Sequence, residues 1–185
     1  MKNEIIEWIK AIVWAVVIVF VIQIFIRPTT VVGPSMNSTL TDGDVLIIKV
    51  TKEFERGDIV SFESDLLIKK SDLEKIPVFK RLFIRENDKK HLVKRIIGVP
   101  GDTIKIADGY VYLNGELLEE PYYSGMTFPD VEEVEIGEDK FFVMGDNRGN
   151  SHDSRYSDLG LIDRDRITGD SIFRVWPLTK LGNPE

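Results

Sequence analysis

Residues 91–106 read HLVKRIIGVPGDTIKI. A Val/Ile-rich run fills 91–99, Pro100-Gly101-Asp102 interrupts it, and a second β-branched run, TIKI, follows at 103–106. Runs of this composition bounded by turn residues are strands. The stretch therefore predicts strand, turn, strand. The same punctuation recurs at Gly43-Asp44, Gly57-Asp58, Gly145-Asp146 and Gly169-Asp170. Four of the five Gly-Asp pairs lead into strand-like runs: VLIIKV, IVSF, TIKI and SIFRV. Glycine supplies φ > 0 and aspartate caps the turn. The spacing is irregular, so this is turn chemistry and not a repeat architecture. YVYLNGELL at 110–118 holds Asn114-Gly115 between short apolar runs, a hairpin signal. Residues 28–185 thus read as one mainly β domain, a compact, barrel-like set of twisted sheets.

Ahead of it lies a segment of another kind. Residues 11–26 are AIVWAVVIVFVIQIFI, with Gln23 the only polar member. Sixteen helical residues rise about 24 Å, and IIEWIK at 5–10 lengthens the run toward the ~30 Å of a hydrocarbon core. A buried core helix is the plainer reading, and it is disfavoured because the stretch is apolar on all faces. A cleaved secretory signal would end in an A-x-A site, but the chain continues RPTTVVGPS. An uncleaved single-pass anchor over about 5–26, in a membrane segment 1–27, fits both facts. Lys2, Lys10 and the amino terminus face Arg27 across it, which places the amino terminus inside and the main domain outside.

Composition removes several function classes. The net charge of −7 carries no basic footprint for nucleic acid. The absence of cysteine excludes disulfides, a thiol nucleophile and thiolate metal sites. Two histidines, His91 and His152, are too few for a multi-histidine metal site. The expectation is an enzyme or binding domain without metal or cofactor. Residues 64–90 mix charge and apolar residues without alternation. They read as a surface insertion with a short helix near 71–76 ended by Pro77. Val78, Phe79, Leu82 and Phe83 among Lys80, Arg81 and Arg85 also allow a membrane-contacting flap.

Ser35 sits in VVGPSMNSTL, residues 31–40, just after a Gly-Pro turn. A serine nucleophile needs a base. His152 in NSHDSR lies beside Asp153, but neighbours on an extended segment face opposite ways. Ser151, Asp153 and Arg155 would share one face, and His152 would look to solvent. Lys94 is the other candidate. It is flanked by Val93, Ile96 and Ile97, which can desolvate an ammonium and lower its pKa. Arg95 would face away and keep its charge in water. The residues alone leave two readings: a solvated Lys-Arg pair, or a buried basic lysine.

Four segments in order carry a resemblance: GPSMNSTL, GDIVSF at 57–62, KRIIGVPGD at 94–102 and GDNRGNSHDSR at 145–155. With the apolar helix before them, they resemble the motifs of bacterial type I signal peptidases. The resemblance implies a Ser/Lys dyad, with Ser35 as nucleophile and Lys94 as general base. It implies that Ser151 orients the lysine, that Asp153 and Arg155 form a supporting ion pair, and that the Ser35 N–H serves an oxyanion hole. Its implied partners are secretory preproteins, cut after small residues at A-x-A sites, and membrane lipid, with no nucleic acid. Its implied location is the outer face of the cytoplasmic membrane. An extended substrate would lie beside 29–33 and 91–93. Val31, Val32, Gly33, Leu40 and Val93 are candidates to line shallow substrate pockets. Two departures stand out. Gly33 occupies a position where part of the family has a hydroxyl that serves the oxyanion, and Ser38 stands where the family has proline. Two other readings remain: a related self-cleaving Ser/Lys peptidase, and an anchored peptide-binding domain without catalysis.

Overall fold

The computed structural model describes residues 2–73 and 85–184. Helix α1 (Lys2–Phe25) leads directly into β1 (Ile26–Thr30). The strands that follow are β2 (Val45–Lys49), β3 (Ile59–Leu67), β4 (Lys89–Gly98), β5 (Thr103–Ala107), β6 (Tyr110–Leu113), β7 (Glu116–Leu117), β8 (Val131–Glu135), β9 (Lys140–Met144), β10 (Ile162–Asp163) and β11 (Ile167–Trp176). A four-residue helix, α2 (Lys70–Leu73), follows β3. The protein is mainly β behind an N-terminal apolar helix, as its sequence predicts.

The strands form two antiparallel sheets. One has seven strands in the order β1-β2-β11-β3-β4-β9-β10, the other four in the order β7-β6-β5-β8. HLVKRIIGVPGDTIKI is where the chain passes from one to the other. β4 lies in the large sheet and β5 in the small one, with the turn at Gly101 between them. One apolar cluster lies against the large sheet, and a second is shared by residues of both sheets. Phe62, Ile96, Phe141, Val143 and Ile162 fill one, and Ile97, Ile104, Ile106, Phe142 and Met144 fill another. Adjacent residues of β4 and β9 serve different clusters, because strand side chains alternate faces. Burying both faces makes these strands continuous apolar runs.

The turn glycines behave as expected at Gly43, Gly57 and Gly101, whose φ values are 88°, 98° and 88°. Asn114 and Gly115 both have positive φ and close the hairpin of β6 and β7. Gly169-Asp170 is different: it lies inside β11, not at a turn. A Cβ at Gly169 would sit 2.0 Å from the Lys49 carbonyl oxygen. That glycine serves close approach to β2, which the dipeptide alone does not reveal.

The insertion is narrower than the sequence reading. β3 runs to Leu67, and Leu67 pairs with Lys89. Residues 64–67 and 89–90 therefore belong to the sheet. The helix expected near 71–76 and the apolar residues 78–83 of the flap reading lie mostly outside the described residues.

Helix α1 is apolar around its whole circumference and none of its apolar window is buried against the domain. Trp8, Trp14 and Phe20 are all exposed. It is long and apolar enough to cross a membrane.

Candidate active site

The segment after β1 makes the site. Val31 pairs through its backbone with Gly43 and Asp44. Gly33 then turns the chain at φ 87°, and Asp42 Oδ1 takes its N–H at 2.7 Å. Pro34, with its fixed φ, enters a turn closed by the Asn37 N–H on the Pro34 carbonyl, 3.0 Å. Met36 and Leu40 are fully buried and anchor this turn in a third apolar cluster with Val31, Leu46, Ile48, Ile59 and Val93. Ser35 is left at the rim, and the Asn37–Ser38 peptide after it is cis. No acceptor among the described residues takes the Ser35 N–H.

β4 brings Lys94 to the serine. Its register opposite Val60 sets the side chain on the Ser35 side of the sheet. Lys94 Nζ lies 2.6 Å from Ser35 Oγ, and the lysine is 2% exposed. Burial pushes the ammonium from 10.5 down to about 8. Asp153 and Asp146 act to raise it, and Arg155 to lower it. Near pH 8 the bond can therefore run either way: the ammonium donates to Ser35, or the neutral amine accepts its proton.

The last loop supports this pair. Asp153 is completely buried, and Arg155 grips both its oxygens, at 2.8 and 2.9 Å. Burial would raise the Asp153 carboxyl, but Arg155, Ser151 and the Gly145 N–H hold it below its ordinary value. Ser151 Oγ donates to Asp153 Oδ2 at 2.6 Å. The hydrogen bond found on Lys94 is to Ser35, so the Ser151 hydroxyl reaches the lysine's surroundings through Asp153. His152 is exposed, stacked on Tyr156 and paired with Asp158. His91 is an exposed residue of β4. The loop is not extended, however, and Ser154 is buried as well, its hydroxyl oxygen accepting the Val143 N–H at 3.0 Å.

Arg95 does not face water. It is 3% exposed, chelates Asp146 at 3.0 and 2.8 Å and reaches the Gly57 carbonyl at 2.8 Å. It does point opposite to Lys94, but that face is covered too, with Tyr122 stacked on the guanidinium. Asp146 also accepts from Thr39 Oγ1 at 2.5 Å. Thr39, Asp146 and Arg95 thus form a second link between the serine segment and the lysine strand. Sequence reasoning missed it. The Gly145-Asp146 pair did signal something, as the one such pair not followed by a strand.

Of the pocket candidates, Val31, Leu40 and Val93 lie in the cluster beneath Ser35. Val32 is 70% exposed, and no atom lies within 4 Å of where a Gly33 Cβ would be. Among the described residues no group of three His, Cys, Asp or Glu could hold a metal.

A serine hydroxyl against a buried, weakly basic lysine, beside an unpartnered amide, has the parts of a hydrolase acting on carbonyl substrates. Comparison with known proteins gives the class a family. The family described as signal peptidase, peptidase S26, matches residues 5–176. Signal peptidase I of Bacillus licheniformis is 40% identical over 97% of this chain and 93% of its own length. Signal peptidase I S of Bacillus subtilis is 36% identical over 97% and 94%. Signal peptidase IB of Staphylococcus aureus is 35% identical over 100% and 98%. A crystal structure of a signal peptidase I from Enterococcus faecalis aligns with a TM-score of 0.46 at 25% identity, covering 64% of this chain and 96% of that one. The chain belongs to the signal peptidase I family of serine peptidases, which remove signal peptides from exported preproteins. Its apolar N-terminal helix fits a membrane-anchored enzyme.

Proposed function

We propose that the reaction runs on a Ser35/Lys94 dyad and that the sites cut are of the A-x-A type. The observation that carries this reading is the 2.6 Å approach of Lys94 Nζ to Ser35 Oγ in a site where the lysine is 2% exposed. Neutral Lys94 takes the Ser35 proton as Oγ attacks the scissile carbonyl. The Ser35 N–H stabilises the resulting oxyanion. The Lys94 ammonium returns the proton to the leaving amine, and an acyl-Ser35 ester remains. Water, deprotonated by Lys94, attacks the ester through a second oxyanion and frees Ser35.

The sheet leaves room for an extended substrate. β4 pairs with β3 through His91–Arg95, but β9 joins its other side only from Arg95 onward. The outer side of 91–93 is therefore open. β1 is the outermost strand of its sheet, so the neighbourhood of 29–33 is open as well. A peptide between them would gain main-chain hydrogen bonds. Exposed Val32 and the open face of Gly33, over Val31, Leu40 and Val93, form a shallow floor suited to alanine-sized side chains. Residues 1–27 act as the anchor and 28–185 as the peptidase domain, on the outer side of the cytoplasmic membrane. Lys2, Lys10 and the amino terminus remain inside, and membrane lipid contacts the anchor.

The test is cleavage of a precursor with an A-x-A site by the reconstituted protein. Wild type should cut after the second alanine. Ser35→Ala and Lys94→Ala should each lose at least ~10³-fold in rate. Cleavage by either variant at the wild-type rate would rule out the dyad.

A further inference from the structure

The peptide group joining Pro34 to Ser35 is held from one side only. It is trans, so its C=O and N–H point in opposite directions. The carbonyl oxygen receives two donors, the Asn37 N–H and Asn147 Nδ2, each at 3.0 Å. The N–H receives no acceptor among the described residues. Asn147 also donates its own backbone N–H to the Ser35 carbonyl at 3.1 Å. One residue therefore grips the peptides on both sides of the nucleophile. The approach is close: a Cβ on the neighbouring Gly145 would lie 2.3 Å from the Ser35 carbonyl oxygen. Asn147 itself has only partial burial and fills no core cluster.

We propose that Asn147 is a positioning residue of the oxyanion hole. Its side-chain amide polarises the Pro34–Ser35 peptide and fixes the aim of the Ser35 N–H. A hydrogen bond accepted at the carbonyl end of a peptide strengthens the donor at its other end. The same bond stops the peptide plane from rocking, and an oxyanion donor is effective only when preorganised. This also bears on Gly33, which brings no hydroxyl and whose N–H is engaged by Asp42. A hole lacking that second donor depends more on the strength and aim of the one it has. The inference rests on the dyad reading, since it assigns Asn147 a role through the amide of the nucleophile.

The test uses the full chain in detergent and a synthetic peptide spanning an Ala-x-Ala site. Asn147→Ala deletes the side-chain donor. Asn147→Asp keeps the shape but faces the Pro34 carbonyl with an acceptor. If the asparagine acts by packing, the isosteric Asp is the milder change. If it acts as a donor, Ala is the milder change, because Asp adds repulsion at the carbonyl and negative charge near the oxyanion. The expected result is a kcat loss of roughly three- to eight-fold for Ala, a larger loss for Asp, and KM within about two-fold of wild type in both. A peptide aldehyde, which forms a tetrahedral adduct on serine, should lose affinity in parallel with kcat/KM, while the uncleaved peptide binds as before. Thermal unfolding of each variant identifies any that fails to fold, and the other then decides through its aldehyde affinity. Wild-type kcat in both variants, or Asp milder than Ala, overturns the inference. A Ser35→Ala control that still cuts overturns the dyad instead, so the two failures are distinct.

Discussion

A lysine sealed from water destabilises the fold while it is charged. Lys94 is such a residue, and its pKa near 8 carries a stability cost with a defined pH window. Below pH 8 both folded and unfolded chains hold the proton, and the folded state bears the full penalty. Between 8 and 10.5 the unfolded chain binds a proton that the folded one has released, so stability rises with pH. Above 10.5 the penalty is gone. Lys94→Met should therefore stabilise the protein at pH 7 by up to about 3 kcal/mol, with the gain fading between pH 8 and 10.5. Denaturant unfolding across that range measures it, and a variant no more stable than wild type at pH 7 contradicts it. Arg155 acts on the same lysine through Asp153. Without its guanidinium, Asp153 would favour the Lys94 ammonium more strongly. Arg155→Met should move the rising limb of the pH profile of activity to higher pH and destabilise the fold by roughly 3–5 kcal/mol, as loss of one buried partner does. An unmoved limb in folded Arg155→Met would exclude this coupling. At this scale the sequence was informative about chemistry and weak about surroundings. Apolar neighbours of Lys94 signalled its desolvation. The same neighbours surround Arg95, and the sequence sent that side chain to water. Strand alternation gives a direction and does not say what lies there.

At the scale of elements, the legible parts were those written locally. HLVKRIIGVPGDTIKI contains its own strand, turn and strand, and YVYLNGELL its own hairpin. Gly43, Gly57 and Gly101 mark turns by their positive φ. Pairings between distant segments were not legible. β11 lies between β2 and β3, with irregular register against both. Gly169 looks like the turn glycines in sequence, yet its role is set by a strand 120 positions away (roughly the Lys49 separation) through the close backbone approach typical of strand glycines. Gly145 is the comparable case in the site. Its Cβ would meet the Ser35 carbonyl oxygen and Ser151 Oγ, each at 2.3 Å. The Ser35 contact is backbone, so the last loop must shift. Gly145→Ala should cost about 10²-fold in kcat/KM, the scale of a small misplacement of reacting groups. Peptide cleavage assays measure that, and near-wild-type activity would contradict the close approach.

At the scale of the molecule, the large sheet brings together groups far apart in the chain: a turn after β1, the interior strand β4 and a loop after β9. Helix α1 adds no wall to that site. It shares no burial with the domain and leads straight into β1. On the reading proposed above, its contribution is confinement at a membrane, where a tethered partner experiences an effective concentration in the millimolar range. Removing residues 1–25 should leave cleavage of a short soluble peptide within a few-fold of wild type and sharply reduce cleavage of a precursor embedded in vesicles. Equal loss on both substrates would show that α1 supports the fold. The helix was legible because an all-round apolar face has few other uses. The enclosure of the lysine was not, because it depends on three segments closing over one strand. The most direct test of the central claim is the pH dependence of kcat/KM for the wild-type protein on an Ala-x-Ala peptide. A lysine base predicts a rate that rises tenfold per pH unit at low pH and levels off through a single ionisation near 8. A limb near the ordinary histidine range of about 6.5, or a rate that Lys94→Ala leaves unchanged, would contradict it.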